Sequence, residues 1–270
     1  MTVATAPTTS ARTDDGVTIA YRVRGDGPRA VLFMHGWAGS GSYWDEMLKH
    51  LDLGGLRAIT YDMRGHGDSD RAETGFTFDH IAQDALAVAD DAGAGKFVLV
   101  GFSMSGKFAQ YVSCISTDRV EGQILIAGAP AGAIPFPPET YQYFLSCAGN
   151  REMMREMISQ FIKEPVRPEV MDRFLDCAIK VPPSALEGTL NTCINASFAE
   201  KLAQARTRTL VIGGAHDPIF SPKVLRQGVV APLSCARLAL VDSSHEIPIE
   251  KPQELAALIE AFLVGLGNID

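Results

Sequence analysis

The chain lacks most of the marks of specialised protein classes. Its 270 residues include five cysteines, Cys114, Cys147, Cys177, Cys193 and Cys235, odd in number, widely spaced and without a CxxC pair. That excludes a disulfide scaffold and a cysteine metal knuckle, and buried free thiols in a reducing cytoplasm are expected. No uncharged apolar stretch approaches the ~20 residues that span a bilayer. The opening MTVATAPTTSARTDDG has no basic segment followed by an apolar run. Neither a membrane partner nor a secretory leader is therefore expected, and residues 1–10 are expected to form a mobile tail. Positive charge is not in excess: 24 Lys and Arg against 32 Asp and Glu leave a net −8. This argues against a nucleic-acid or anionic-membrane partner. Internal repeats, low-complexity segments and motifs for a metal ion or organic cofactor are all missing.

What is present is a hydrophobic fraction of 46 % and enough length for one large α/β domain, or one domain with an insertion. Strand and helix patterns alternate. Strands are expected at 17–25, 30–36, 56–62, 96–101, 123–128, 208–214 and 236–242, and helices at 40–51, 77–93, 105–115, after Ser221-Pro222, and from Pro252 on. KFVLVG (96–101) is almost wholly apolar, as a central parallel strand buried on both faces requires. The alternation stops after residue 130. From 131 to 203 there are only helical stretches, four of them, interrupted by prolines. A core of 1–130 and 204–270 is thus expected to carry a helical lid, 131–203, over the carboxyl edge of its sheet, where open α/β sheets bind ligands.

The stretch VLVGFSMSGKFAQ (98–110) raises the question of a nucleophile. Ser103 lies where a buried strand turns into a helix, with Gly101 two places before it. A nucleophile on so sharp a turn needs small neighbours, and the following helix turns free N–H groups toward it. Ser105 is flanked at the same spacing by Ser103 and Lys107 and would lie within the helix, so Ser103 is the better candidate. The G-x-S-x-G pattern is shifted: position 105 is serine and the glycine follows at Gly106. A serine hydroxyl needs a base and an acid to hold that base. Of the six histidines, His50 and His80 fall on flanking helices, His66 in a tight turn and His216 in the turn at Asp217. His245, in the loop after strand 236–242, reaches the edge that carries Ser103. Asp217 directly follows strand 208–214, and the other strand end suited to an acid reads AGAPAG, without a carboxylate. Ser103, Asp217, His245 is the chain order expected when these strands lie in one sheet.

With those residues in place, the sequence resembles the α/β-hydrolase superfamily. FMHGWAGS (33–40) resembles its oxyanion loop and DMRGHGDSD (62–70) its D-x-R-G-x-G-x-S turn. GFSMSG (101–106) resembles the nucleophile elbow, and GAHDPI (214–219) and SSHEIPIEKP (243–252) the acid and base loops. The local wording is similar to that of small bacterial esterases and cofactor-free haloperoxidases. The resemblance implies a mostly parallel eight-stranded sheet flanked by helices, with the helical lid inserted after strand 6. It implies the backbone N–H groups of Trp37 and Met104 as oxyanion donors, and no cofactor or metal. Arg64, Gly65, Gly67, Asp68 and Ser69 are expected to hold a turn, without a catalytic role. Residues 151–180 carry six basic and six acidic side chains, so the lid has no net charge to steer an ion. Trp37, Met104, Tyr141, Phe144, Met157 and Phe161 are expected to line a mainly apolar pocket, with methionines adapting to varied shapes. A cytoplasmic serine hydrolase of a small-molecule carboxylic ester or lactone is therefore expected, working through an acyl-enzyme on Ser103. Carbon–carbon bond hydrolysis or perhydrolysis on the same triad is the alternative, with a slow-turnover binding protein behind both.

Overall fold

A computed structural model describes residues 7–267. Eight strands form one sheet: β1 (Thr9–Arg12), β2 (Thr18–Arg24), β3 (Arg29–Met34), β4 (Leu56–Tyr61), β5 (Phe97–Phe102), β6 (Val120–Ile126), β7 (Thr209–Gly214) and β8 (Ala236–Val241). Their order across the sheet is β1-β2-β4-β3-β5-β6-β7-β8. The pairs β1–β2 and β2–β4 run antiparallel and the rest parallel. Every residue of β5 is buried, because helices cover both faces of the sheet. Each large apolar side chain there contributes roughly 1.5–3 kcal/mol by leaving water. The core lies as two clusters, one on each face.

Outside the insertion the helices are α1 (Asp45–Leu48), α2 (Phe78–Asp91), α3 (Met104–Ile115), α8 (Pro222–Leu225), α9 (Ile247–Glu250) and α10 (Pro252–Gly265). Between β6 and β7 stand α4 (Pro138–Ser146), α5 (Arg151–Ser159), α6 (Pro168–Ala178) and α7 (Pro183–Asn195). These are the four helices read between residues 131 and 203. The prolines there act as openers: Pro138, Pro168 and Pro183 each occupy the first position of a helix, where a missing N–H costs nothing.

Three expectations need correction. The tail expected over 1–10 includes Thr9 and Ser10, which pair with Tyr21 and Ala20 in β1, while residues 1–6 lie outside the described residues. Only Ala11 of β1 is buried, so backbone pairing holds this strand and no hydrophobic pattern announces it. The helix expected over 40–51 is a 3₁₀ turn, Gly41–Trp44, followed by the single turn α1. Asp62 takes the Gly41 N–H at 2.6 Å and ties the start of this segment to the end of β4. All five cysteines are free thiols. Cys147 and Cys193 are buried, but Cys235 is exposed in the turn before β8.

Candidate active site

Ser103 joins β5 to α3 with φ 52° and ψ −118°, a region that non-glycine residues seldom enter. The surroundings fix this conformation. The Ser103 N–H donates to the Ile126 carbonyl at 2.9 Å. The Ser103 carbonyl accepts from the N–H groups of Gly106 and Ala129 at 2.9 and 3.0 Å. A Cβ at Gly101 would run into the Ser105 carbonyl, and one at Gly106 into the backbone of Gly128. The shifted glycine is thus required by the close approach of α3 to the chain beyond β6. Ser105 is fully buried, and its hydroxyl donates to the His35 carbonyl, which ties the elbow to the loop after β3.

The structure brings the three sequence-predicted residues together from three strand ends. Ser103 Oγ lies 2.8 Å from His245 Nε2, and His245 Nδ1 lies 2.8 Å from Asp217 Oδ2. The second Asp217 oxygen accepts from the N–H groups of Ile219 at 2.7 Å and Phe220 at 2.9 Å. Those bonds aim the carboxylate at Nδ1. The Nδ1–H then donates to Asp217, and Nε2 is left to accept the Ser103 proton. His245 and Asp217 are both buried. Burial works against the charge of the His245 ring, but the Asp217 carboxylate outweighs it and raises the imidazole above its ordinary 6.5. Burial also opposes the charge of Asp217, and His245 with the two amides outweighs it, holding the carboxyl below its ordinary 3.8.

Trp37 and Met104 line one pocket together with Ser103. The loop that carries Trp37 turns tightly: Ala38 has φ 58°, and the Gly39 N–H donates to the Gly36 carbonyl at 3.1 Å. His35 braces it from below. Its Nδ1 lies 2.8 Å from the Gly36 carbonyl, and its Nε2 accepts the Met63 N–H at 3.0 Å. Burial pushes His35 down to about 4, which keeps the ring neutral for these two bonds. Among the described residues neither the Trp37 nor the Met104 backbone N–H has a protein acceptor. Arg64 forms ion pairs with Asp84 of α2 and with Asp15.

Two pockets meet at Ser103. The inner one, about 420 Å³, is lined by Gly36, Tyr43, Phe102, Met157, Phe174 and Glu246, among others. The outer one, about 980 Å³, is lined by Met104, Ile134, Phe136, Leu190, Cys193 and Phe220, among others. Trp37, Phe144 and Phe161 border both. Five of the six expected pocket residues therefore line one or both chambers. Tyr141 lines neither, because α4 turns it toward α7, where its hydroxyl donates to Glu187 at 3.0 Å. Thr140 and Phe144, one turn apart, face the outer chamber instead. Tyr43 and Glu246 escaped the sequence reading. Glu246 had a signal, since it follows the candidate base directly, whereas Tyr43 had none. Among the described residues no group of three His, Cys, Asp or Glu side chains is arranged to hold a metal ion. No helix there is long and apolar enough to cross a membrane.

An eight-stranded, mostly parallel sheet that delivers a strained serine, a histidine and an aspartate to one edge defines a class. The chain belongs to the α/β hydrolase fold family, whose model matches residues 29–252. It is 26 % identical over 267 residues to the AB hydrolase superfamily protein YisY of Bacillus subtilis (strain 168), covering 93 % of this chain and 97 % of that one. Over 117 residues it is 40 % identical to a non-heme haloperoxidase of Rhodococcus erythropolis, covering 43 % of this chain and 42 % of that one. The esterase EaEST from Exiguobacterium antarcticum shares the fold with a TM-score of 0.87 at 18 % identity, over 95 % of this chain and 99 % of that one.

Proposed function

We propose that the protein is a serine hydrolase that cleaves a carboxylic ester or lactone with a mainly apolar group, through an acyl-enzyme on Ser103. The observation that carries this reading is the continuous 2.8 Å relay from Ser103 Oγ through His245 to Asp217, opening on apolar chambers. His245 Nε2 takes the Ser103 proton as Oγ attacks the carbonyl carbon. The oxyanion that forms accepts from the Trp37 and Met104 N–H groups, each worth roughly 3 kcal/mol in the transition state. His245 returns the proton to the leaving alkoxide, which departs as the alcohol. Water, deprotonated by His245, then splits the acyl-enzyme to the acid and free Ser103. Asp217 holds the tautomer and offsets the imidazolium charge.

A second acceptor is favoured by the likeness to a haloperoxidase. Hydrogen peroxide in place of water converts the same acyl-enzyme to a peracid, an oxidant that needs no metal. Intact mass after treatment with a fluorophosphonate tests the common step. One adduct is expected on the wild type and on Ser105→Ala, and none on Ser103→Ala. An adduct that follows Ser105 instead, or no adduct at all, overturns the reading. Product analysis with and without peroxide then separates the two acceptors.

A further inference from the structure

One acceptor in the inner pocket is left unused by the relay. Glu246 is buried, 4 % exposed, yet it lines the pocket together with Ser103 and His245. One carboxyl oxygen accepts the Tyr43 hydroxyl. The other has no donor among the described residues, and it is not sealed away from open space. Tyr43 is itself immobilised, stacked on Phe102 with ring centroids 5.1 Å apart and planes 16° apart. The remaining inner wall is largely apolar: Phe102, Phe144, Met157, Ile158, Phe161, Phe174 and Ile219. Such an acceptor keeps water as its partner until a substrate arm fills the pocket, and an arm that excludes the water without supplying a donor leaves it unpaired at a cost.

We infer that Glu246, braced by Tyr43, forms a hydrogen-bond-accepting subsite that selects substrates whose shorter arm carries a hydroxyl group. The proposal rests on the ester-hydrolase reading of this same site and adds the chemistry of the substrate. The inner pocket has less than half the empty volume of the outer one, so the hydroxyl-bearing arm is the short one and the bulky apolar arm takes the outer chamber. A neutral donor suits this wall better than a cation, because the side chains around Glu246 are largely apolar and would strip a cation of its water. A site built around a buried acceptor also rejects the analogue that lacks the donor far more strongly than a plain apolar pocket rejects a change in size.

Two matched pairs of esters provide the test, each exchanging a hydroxyl for a methyl group. The first compares 3-hydroxybutanoyl with 3-methylbutanoyl esters of naphthol, the second 2-hydroxyethyl with propyl esters of naphthoic acid. In the wild type, kcat/KM is expected to favour the hydroxyl member of one pair by about tenfold or more. Glu246→Leu should bring that ratio to about one, and Glu246→Gln, which keeps a carbonyl acceptor, should retain part of it. A merely structural role for Glu246 would lower both members of a pair together and leave the ratio unchanged, which overturns the proposal. So would a wild-type ratio near one in both pairs. Binding of the same esters to Ser103→Ala, measured by calorimetry, separates this inference from the hydrolase reading. If the wild type turns over no ester while Ser103→Ala prefers the hydroxyl member, the subsite stands and the hydrolase reading fails. Turnover and binding without preference remove the subsite and leave the hydrolase.

Discussion

At the scale of the residue, the site works by constraint. Ser103 sits in a backbone conformation it would not choose, and His245 is held between two partners at 2.8 Å each. Asp217→Asn should keep the hydrogen bonds from Ile219 and Phe220 but favour the wrong tautomer of His245. A fall in kcat of roughly 10³–10⁴-fold is expected from steady-state kinetics on a good ester. The pH profile carries a sign. His245 must be neutral to accept the proton, and Asp217 raises its pKa above 6.5. The acid limb of kcat/KM should therefore turn over above that value, and in Asp217→Asn the limb should move toward lower pH. Ser105→Ala leaves the His35 carbonyl without its donor inside the core. A loss of about 1–3 kcal/mol in denaturant unfolding is expected, with the fluorophosphonate adduct retained. The three candidate catalytic residues were legible in the sequence because each follows a strand pattern directly, so position along the chain fixes which edge each reaches. Tyr141 was misread because a helix only nine residues long turns neighbouring side chains to different partners, and its own face is decided by Glu187, 46 residues away.

At the scale of the element, α3 is the piece on which most depends. It begins at the elbow, runs along β5 and β6, and its Gly106 lets it approach Gly128 closely. Gly106→Ala should strain that contact and lower the thermal midpoint, and it should slow both acylation and deacylation, because the Met104 N–H that would serve both oxyanions moves with the helix start. At the next position, Lys107 is fully buried. Its ammonium donates to the carbonyls of Gly132 at 2.7 Å, Cys193 at 2.6 Å and Ala196 at 2.7 Å. Those carbonyls belong to the two ends of the insertion, so one side chain of the core fastens both. Lys107→Met keeps the length of the stem and removes the donors. Limited proteolysis should then cut within 131–203 faster than in the wild type. The loss of strand pattern after residue 130 marked where α4 to α7 interrupt the alternation of strands and helices. The sequence did not show the fastening, since a lysine in an amphipathic helix reads as solvent-facing until its three acceptors are seen.

At the scale of the whole molecule, the insertion is attached to the core by charge as well as by backbone. Glu46 before the end of α1 is buried and receives Lys49 at 2.7 Å, together with Arg167 and Arg173 from α6 and the loop before it. Burial opposes the Glu46 charge, but Lys49 and the two arginines prevail and hold its carboxyl below 4.5. The unfolded chain thus takes up a proton at Glu46 before the folded one does. The stability this group adds is present above pH 4.5 and is lost as pH falls through its lower folded value. Melting curves from pH 6 downward should fall less steeply for Glu46→Gln than for the wild type. A further attachment runs through the backbone. The His245 N–H donates to the Phe161 carbonyl at 3.0 Å, and Glu250 takes the N–H groups of Lys163 at 2.8 Å and Glu164 at 3.1 Å. The segment that shapes the chamber is therefore wired to the segment that carries His245, the candidate base. An insertion of this kind is not a cassette: transplanted between relatives without its seat at 243–250, it would arrive with a new chamber and a displaced imidazole. Diversification by exchange of parts is then confined to α4 and the outward faces of α5 and α6, while 161–164 and 243–250 have to change hands together.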